Sequence, residues 1–374
     1  MILKKIILKY NRLLIFCQGD IEIANNMDNK FGLLEIEKLK QLLQSTDPPA
    51  NLKEKAQQQI ERLSLALKFG GNLSQIDIVS KYIDWITHLP WEKKSDEILD
   101  IKRAKEILDK NHYGLEKVKM RVIEYLSALI LYRKNRPTEP FHAPSLFFVG
   151  LPGTGKTTFA ISVAEALGRK FVRITFGGLA SAIDLRGQSK TSPEAEPGMI
   201  IRALRRIQVK NPVILLDELD RITPEARPAV MGVLLELLDP SQNLAFTDYF
   251  IDYPFDLSSA IFIASANNTR DVSTAVLDRL EVIHMPSYTD EEKIVIAKNY
   301  VFPRYIKELG LDSSIITIDE NLWSKITRPL GFDPGMRTLE RTIEQIVRRV
   351  AYKIVSGQSG PFYINEQNLK EYIS

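Results

Sequence analysis

One cysteine, Cys17, in 374 residues leaves no internal disulfide to staple the fold and suits a reducing compartment. No uninterrupted apolar run reaches the roughly 18–20 residues that a membrane-spanning helix needs. Strong charge of either sign is also missing. Fifty basic against 47 acidic side chains give +3, too balanced to argue for a nucleic-acid or membrane partner. Neither an internal repeat nor a low-complexity tract interrupts the chain. Met1–Phe16 places Lys4 and Lys5 ahead of Ile6-Ile7-Leu8, but Lys9 and Arg12 break the apolar core and no small-residue cleavage site follows. The expectation is therefore a cytoplasmic protein rather than an exported one. What is present, 44% hydrophobic and 26% charged residues, is the composition of a soluble globular chain long enough for two or three domains.

Residues 1–30 form an apolar-basic extension to which no role is assigned. From Phe31 the pattern turns helical: Leu33, Ile36, Leu39 and Leu43 recur at steps of three and four, until Asp47-Pro48-Pro49 breaks the run. Leu52, Ala56, Ile60, Leu63 and Leu67 mark a second helix ended by Gly70-Gly71, and Ile76, Val79, Ile83 and Ile86 a third before Pro90. From about 110 to 287 apolar strands alternate with helices, which predicts a doubly wound parallel sheet. The candidate strands are 145–149, 171–175, 213–216, 260–265 and 281–285. Helical patterns return over 291–309, 321–326, 335–356 and 366–372.

The most specific motif is Gly150-Leu151-Pro152-Gly153-Thr154-Gly155-Lys156-Thr157, between the first strand and a helical stretch opened by Thr158. This G-x-x-x-x-G-K-[ST] loop wraps a polyphosphate: its glycines let backbone N–H groups and a helix N-terminus face the negative charge. Lys156 would reach the β- and γ-phosphates and the Thr157 hydroxyl would hold Mg2+. Some sixty residues on, Val213–Leu216 ends in Asp217-Glu218. Beside a phosphate loop, Asp217 would take the metal through its water shell and Glu218 would polarise the attacking water. Strand 261–265 ends near Asn267, placed to orient the water or touch the γ-phosphate. Arg279, in Leu277-Asp278-Arg279, suits the arginine that stabilises charge on the transferring phosphoryl group. Gly335-Met336-Arg337 opens a helix in the C-terminal part, where Arg337 could read the nucleotide state.

With these residues in place, 33–374 resembles the AAA+ ATPase module of Lon proteases. The likeness extends to Tyr82-Ile83-Asp84-Trp85, Leu89-Pro90-Trp91, His112-Tyr113-Gly114-Leu115-Glu116-Lys117, Gly177-Gly178, Arg186-Gly187, Leu238-Asp239-Pro240, Gln242-Asn243 and Phe246-Thr247-Asp248. Ala275-Val276 replace a usual proline and leucine, a departure that spares Arg279. The resemblance implies ATP and Mg2+ as ligands. It makes Asn267 the sensor-1 residue, Arg279 a finger acting in trans and Arg337 sensor-2, with Tyr113 and Gly114 near the adenine. It also implies an α/β plus α architecture: a helical neck over 31–110, an AAA+ domain with a five-stranded parallel sheet over 111–287, and a small helical lid over 288–374. A trans finger needs a head-to-tail ring, usually a hexamer.

Two departures shape the expected function. The family's Ser–Lys peptidase domain would begin beyond Ser374, so these residues are expected to hydrolyse ATP and remodel protein substrates without cleaving them. The first pore loop, aromatic–aliphatic in the family, reads Ser192-Pro193-Glu194-Ala195-Glu196-Pro197-Gly198, an acidic loop stiffened by proline. The alternatives are a fragment or split half of a full Lon protease working with a separate peptidase chain, or a regulatory assembly subunit that does not thread. Arg202, Arg205, Arg206 and Lys210 read as a solvated or subunit-facing helix surface rather than a nucleic-acid patch, because no aromatics are interleaved.

Overall fold

The computed structural model describes residues 32–69, 74–136, 139, 141, 143–192, 194–327 and 335–373. The extension expected at 1–30 lies outside the described residues. The chain divides into two compact units, each assembled from separate stretches of sequence.

One unit takes Ser95–Ala180, Asn211–Pro240 and Ser258 onward. Its centre is the expected five-stranded parallel sheet, in the spatial order Phe171–Thr175, Val213–Asp217, Ile261–Ala266, Ser145–Val149, Leu280–His284. Every residue of Val213–Asp217 and Ile261–Ala266 is buried, the mark of central strands covered on both faces. Register aligns the strand ends: Val149 pairs with Ala266 and His284, and Thr175 with Asp217. Because all the strands run one way, the loops after them emerge along a single edge, where ligands bind in such sheets. Phe148, Phe159, Val163, Leu215 and Ile263 join the core beside this edge.

The same unit carries the C-terminal helical layer. Thr289 caps the helix Asp290–Ile296 in a reciprocal arrangement with Glu292. The single helix expected over 291–309 is interrupted by a π-helical turn, Ala297–Val301, before Phe302–Glu308. Pro303 explains the break: it has no N–H to continue an α-helical ladder, so it sits in the first turn of a new segment. The helix Arg337–Val355 buries Leu339, Ile343, Ile346, Val347 and Val350 against Val301, Trp323 and Ile326. A short parallel pair, Ile316–Ile318 with Phe362–Ile364, adds strands to a layer expected to be wholly helical.

The other unit gathers the described residues up to Lys94 with Ser181–Lys210 and Ser241–Leu257. Its helices run over 32–45, Ala50–Lys68 and Ser74–Thr87. The apolar stripe of the second is buried throughout, whereas Leu33 of the first is 38% exposed and lies off the buried face. A hairpin, Phe246–Asp248 with Tyr253–Phe255, packs Tyr253 and Phe255 against Trp91, while Phe250 in its turn meets Tyr82 and Trp85. The carboxylate of Asp248 accepts N–H bonds from Gly198 at 2.7 Å, Phe250 at 2.8 Å and Ile251 at 3.1 Å. In the expected pore loop, Ala195, Pro197 and Gly198 are buried, and Glu196 pairs with Lys81 at 2.5 Å; Pro193 lies outside the described residues. The basic helix surface expected over 202–210 is partly internal. Arg205 stacks over Trp85 at 4.2 Å and binds Asp84 at 2.6 Å, and Lys210 is buried against Asp256 at 3.1 Å.

Candidate nucleotide site

The loop Gly150–Gly155 leaves the strand Ser145–Val149 and enters the helix Lys156–Ala166. Gly155, at φ 97°, takes a backbone shape that a side chain disfavours, and so turns the helix N-terminus toward the loop. Lys156 Nζ donates to the carbonyls of Gly150 at 2.6 Å and Leu151 at 3.0 Å, and to Asn267 Oδ1 at 3.2 Å. Burial lowers the pKa of this amine, with Asp217 pulling the other way. Thr154 is fully buried and its hydroxyl donates to Leu151 O at 2.9 Å, so its side chain shapes the loop instead of facing a ligand. Thr158 donates its hydroxyl to Gly155 O at 2.8 Å.

Across the sheet edge, buried Asp217 accepts from Arg173 Nε at 2.5 Å on one oxygen and from Ser265 Oγ on the other. Glu218 follows at φ 65°, left-handed for a non-glycine residue, and its carboxylate meets Arg221 at 3.3 Å. Such strain persists only where its surroundings enforce it, and it gathers at functional sites. Asp220 accepts from Asn268 at 3.3 Å through Oδ2, while its Oδ1 is shielded from solvent with no hydrogen-bond partner among the described residues.

A cleft of about 250 Å3 joins these groups. Of the sequence-predicted residues it brings together Tyr113, Pro152, Gly153, Gly155, Lys156, Thr157, Thr158, Asp217, Glu218, Asn267 and Arg337. Gly150, Leu151 and Thr154 build the loop behind it. Gly114 turns the chain at φ 64° beside Glu292 and does not line it. Arg279 is not brought to the cleft: it binds Asp239 at 3.1 Å and Ala275 O at 2.9 Å. Arg337 is the first residue of its helix, where a cation opposes the helix dipole, and Glu340 in the same turn offsets it.

Several lining residues escaped the sequence reading. Asp220, three residues after Asp217, could have been found from the acidic run; Tyr288, Tyr300, Arg304 and Glu340 sit in no linear motif and arrive through the fold. His112 appears in the family pattern without a role. Its ring stacks on Phe159 at 3.7 Å and meets Ser162 Oγ at 2.9 Å; burial, helped by Lys119, pushes its pKa down to about 4.

The lining joins the cationic side chains of Lys156, Arg221, Arg304 and Arg337 with the aromatic and apolar ones of Tyr113, Tyr288, Ile296 and Tyr300. That combination fits a nucleoside polyphosphate. The unpartnered oxygen of Asp220, a residue that lines the cleft together with Asp217 and Thr157, fits a hard divalent cation bound by oxygen ligands.

Residues 146–287 match the ATPase family associated with various cellular activities (AAA), and 307–362 match the Lon protease AAA+ ATPase lid domain. The fold is accordingly that of an AAA ATPase domain. Among similar proteins, the Lon protease of Desulfatibacillum aliphaticivorans is 44% identical over 79% of this chain and 35% of its own length. That of Lawsonia intracellularis is 39% identical over 91% of this chain and 40% of its own. Lon protease 2 of Thermus thermophilus is 38% identical over 94% and 44%. The chain belongs to the Lon protease family and carries its AAA+ ATPase module. It spans about two fifths of the length of the curated relatives it matches.

Proposed function

We propose that the chain binds ATP with Mg2+ in this cleft and hydrolyses it, coupling the cycle to remodelling of protein substrates in a ring of identical subunits. One observation carries the reading: Lys156, Asp217, Glu218 and Asn267 converge on one edge of a parallel sheet, and Arg337 enters the same cleft from the C-terminal helical layer. In this reading the loop amides and Lys156 hold the phosphates. Thr157 and Asp217, with Asp220 on the same cleft, would hold a magnesium ion, which when bound would neutralise phosphate charge. The Glu218 carboxylate, swung off Arg221, takes a proton from the water that attacks the γ-phosphorus as the bond to ADP breaks. Asn267 orients that water, and Tyr113, with Gly114 shaping its turn, borders the adenine. Arg337 stabilises charge from within the subunit.

Arg279, held outside its own cleft, is assigned to a neighbour's nucleotide. The domain boundaries proposed with this reading are 111–287 for the nucleotide-binding domain and 288–374 for the lid. Threading is not assigned to 192–198, since Ala195 and Pro197 are buried and Glu196 is tied to Lys81. This favours, as a second reading, a remodelling or regulatory subunit that grips partners elsewhere.

Wild type should release phosphate from ATP only with Mg2+, and Lys156→Ala should abolish both binding and release. A wild-type protein that does not bind ATP, or a Lys156→Ala variant as active as wild type, would refute the site.

A further inference from the structure

Two successive carbonyls of the phosphate loop are held by residues flanking or within the C-terminal helical layer. Gly153 O accepts from the Met336 N–H at 3.0 Å, and Thr154 O accepts from the Tyr288 hydroxyl at 3.3 Å. Met336 directly precedes Arg337. Tyr288 directly precedes the Thr289 cap and packs against the sheet core and the helical-layer core alike. At the first contact the two backbones approach more closely than a side chain allows. A Cβ on Gly335 would lie 2.1 Å from Pro152 O and 2.9 Å from Gly153 Cα; one on Gly153 would lie 2.9 Å from Met336 N. These are backbone atoms, which cannot swing aside as a flexible side-chain tip can.

We infer that Gly335 is a positioning residue for ATP hydrolysis, with Tyr288 as its companion. By seating the helical layer backbone to backbone on the phosphate loop, Gly335 fixes where the helix Arg337–Val355 starts and so aims Arg337 into the cleft. The same two hydrogen bonds carry a change of loop shape, set by the phosphates it wraps, into the helical layer. Neither loop carbonyl would itself bind phosphate, since only N–H groups and cations attract it. They are therefore free to report its presence without competing for it. The inference rests on the nucleotide reading above.

The test is a cycle of Gly335→Ala, Arg337→Ala and the double variant, with kcat and KM for ATP measured beside amide exchange. Gly335→Ala should keep the sheet amides protected while the Met336 amide exchanges at least tenfold faster. Its kcat should fall 10- to 100-fold, and in the Arg337→Ala background the same change should alter kcat less than twofold. Should Gly335→Ala fail to fold, Tyr288→Phe removes the second tether without adding bulk. It should lower kcat two- to tenfold, again only while Arg337 is present. Losses that multiply fully in the double variant, or a single variant within twofold of wild type, overturn the coupling while wild-type hydrolysis preserves the nucleotide reading. A wild type that neither binds nor hydrolyses ATP overturns both.

Discussion

Replacing Glu218 with glutamine should separate ATP binding from ATP hydrolysis. The exchange turns one carboxylate oxygen into an amide and leaves size and backbone unchanged. Glu218 sits at φ 65°, where a non-glycine residue is strained by about 1–2 kcal/mol. Glutamine bears the same strain, so that cost cancels between the two proteins. The ion pair with Arg221 at 3.3 Å is lost, but half of the Arg221 side chain is exposed, and such pairs contribute about 0.2–1 kcal/mol. Folding stability should thus shift by less than about 1 kcal/mol, a few degrees of Tm at most. Removing a general base is a larger effect, about 10²–10⁴-fold in rate. At about 1.4 kcal/mol per decade this raises the barrier by roughly 3–5 kcal/mol.

The assay pairs phosphate release with direct ATP-binding titration and a thermal melt on the same preparation. The expected outcome is unchanged binding, an unchanged melt and phosphate release at one hundredth of the native rate or less. A Glu218→Gln variant that hydrolyses ATP at the native rate would remove Glu218 from the chemistry. One that loses binding together with hydrolysis would assign its strained conformation to loop architecture instead.

Arg279→Ala should lower hydrolysis by about 10³–10⁵-fold in an assembled ring and inhibit wild-type subunits when mixed with them. Wild-type specific activity should rise with protein concentration, and activity independent of concentration, with a monomer by light scattering, would refute action in trans. Acid should act oppositely on the two units. His112 binds a proton near 6.5 when unfolded but only near 4 when folded, so the stability it contributes is present above about 6.5 and is lost as pH falls toward 4, on the order of 3 kcal/mol. Asp248, whose folded pKa burial raises to about 6, keeps in the folded state a proton that the unfolded chain releases near 3.8, so its contribution is lost as pH rises through about 6. Amide exchange at pH 7 and pH 5 should show the cleft-bearing unit loosening and the Asp248-bearing unit tightening; a His112 ring that titrates near 6.5 by NMR would refute the first half.

What the sequence made legible was what neighbouring residues decide among themselves. The phosphate loop is eight consecutive residues whose glycines and lysine work within one turn. The strands that end at Asp217 and just before Asn267 are short apolar runs, and their ends could be read to within a residue or two. The π-helical turn at 297–301 escaped because the 3.6-residue pattern of apolar positions continues across it, while Pro303 acts on hydrogen bonds rather than on pattern. Arg304, Tyr288 and Glu340 escaped for a different reason: each is an ordinary surface residue until the helical layer folds onto the phosphate loop.

Arg279 shows how far pattern reading reaches. The sequence singled the residue out, and the fold then placed it away from the cleft, in an ion pair with Asp239. A side chain one third exposed, held by the Asp239 carboxylate and the Ala275 carbonyl, can be redirected, because such an ion pair contributes at most about 1 kcal/mol. If a neighbour's nucleotide meets this face, as proposed, its γ-phosphate would carry more negative charge than Asp239. On the proposed reading the Asp239 pair would be a resting position that assembly exchanges for a stronger partner. Asp239→Asn, which loosens the resting position and leaves Arg279 intact, should hold or raise the activity of assembled protein, whereas Arg279→Ala removes it. Equal losses from the two substitutions would show the pair to be part of the fold and not a store for the finger.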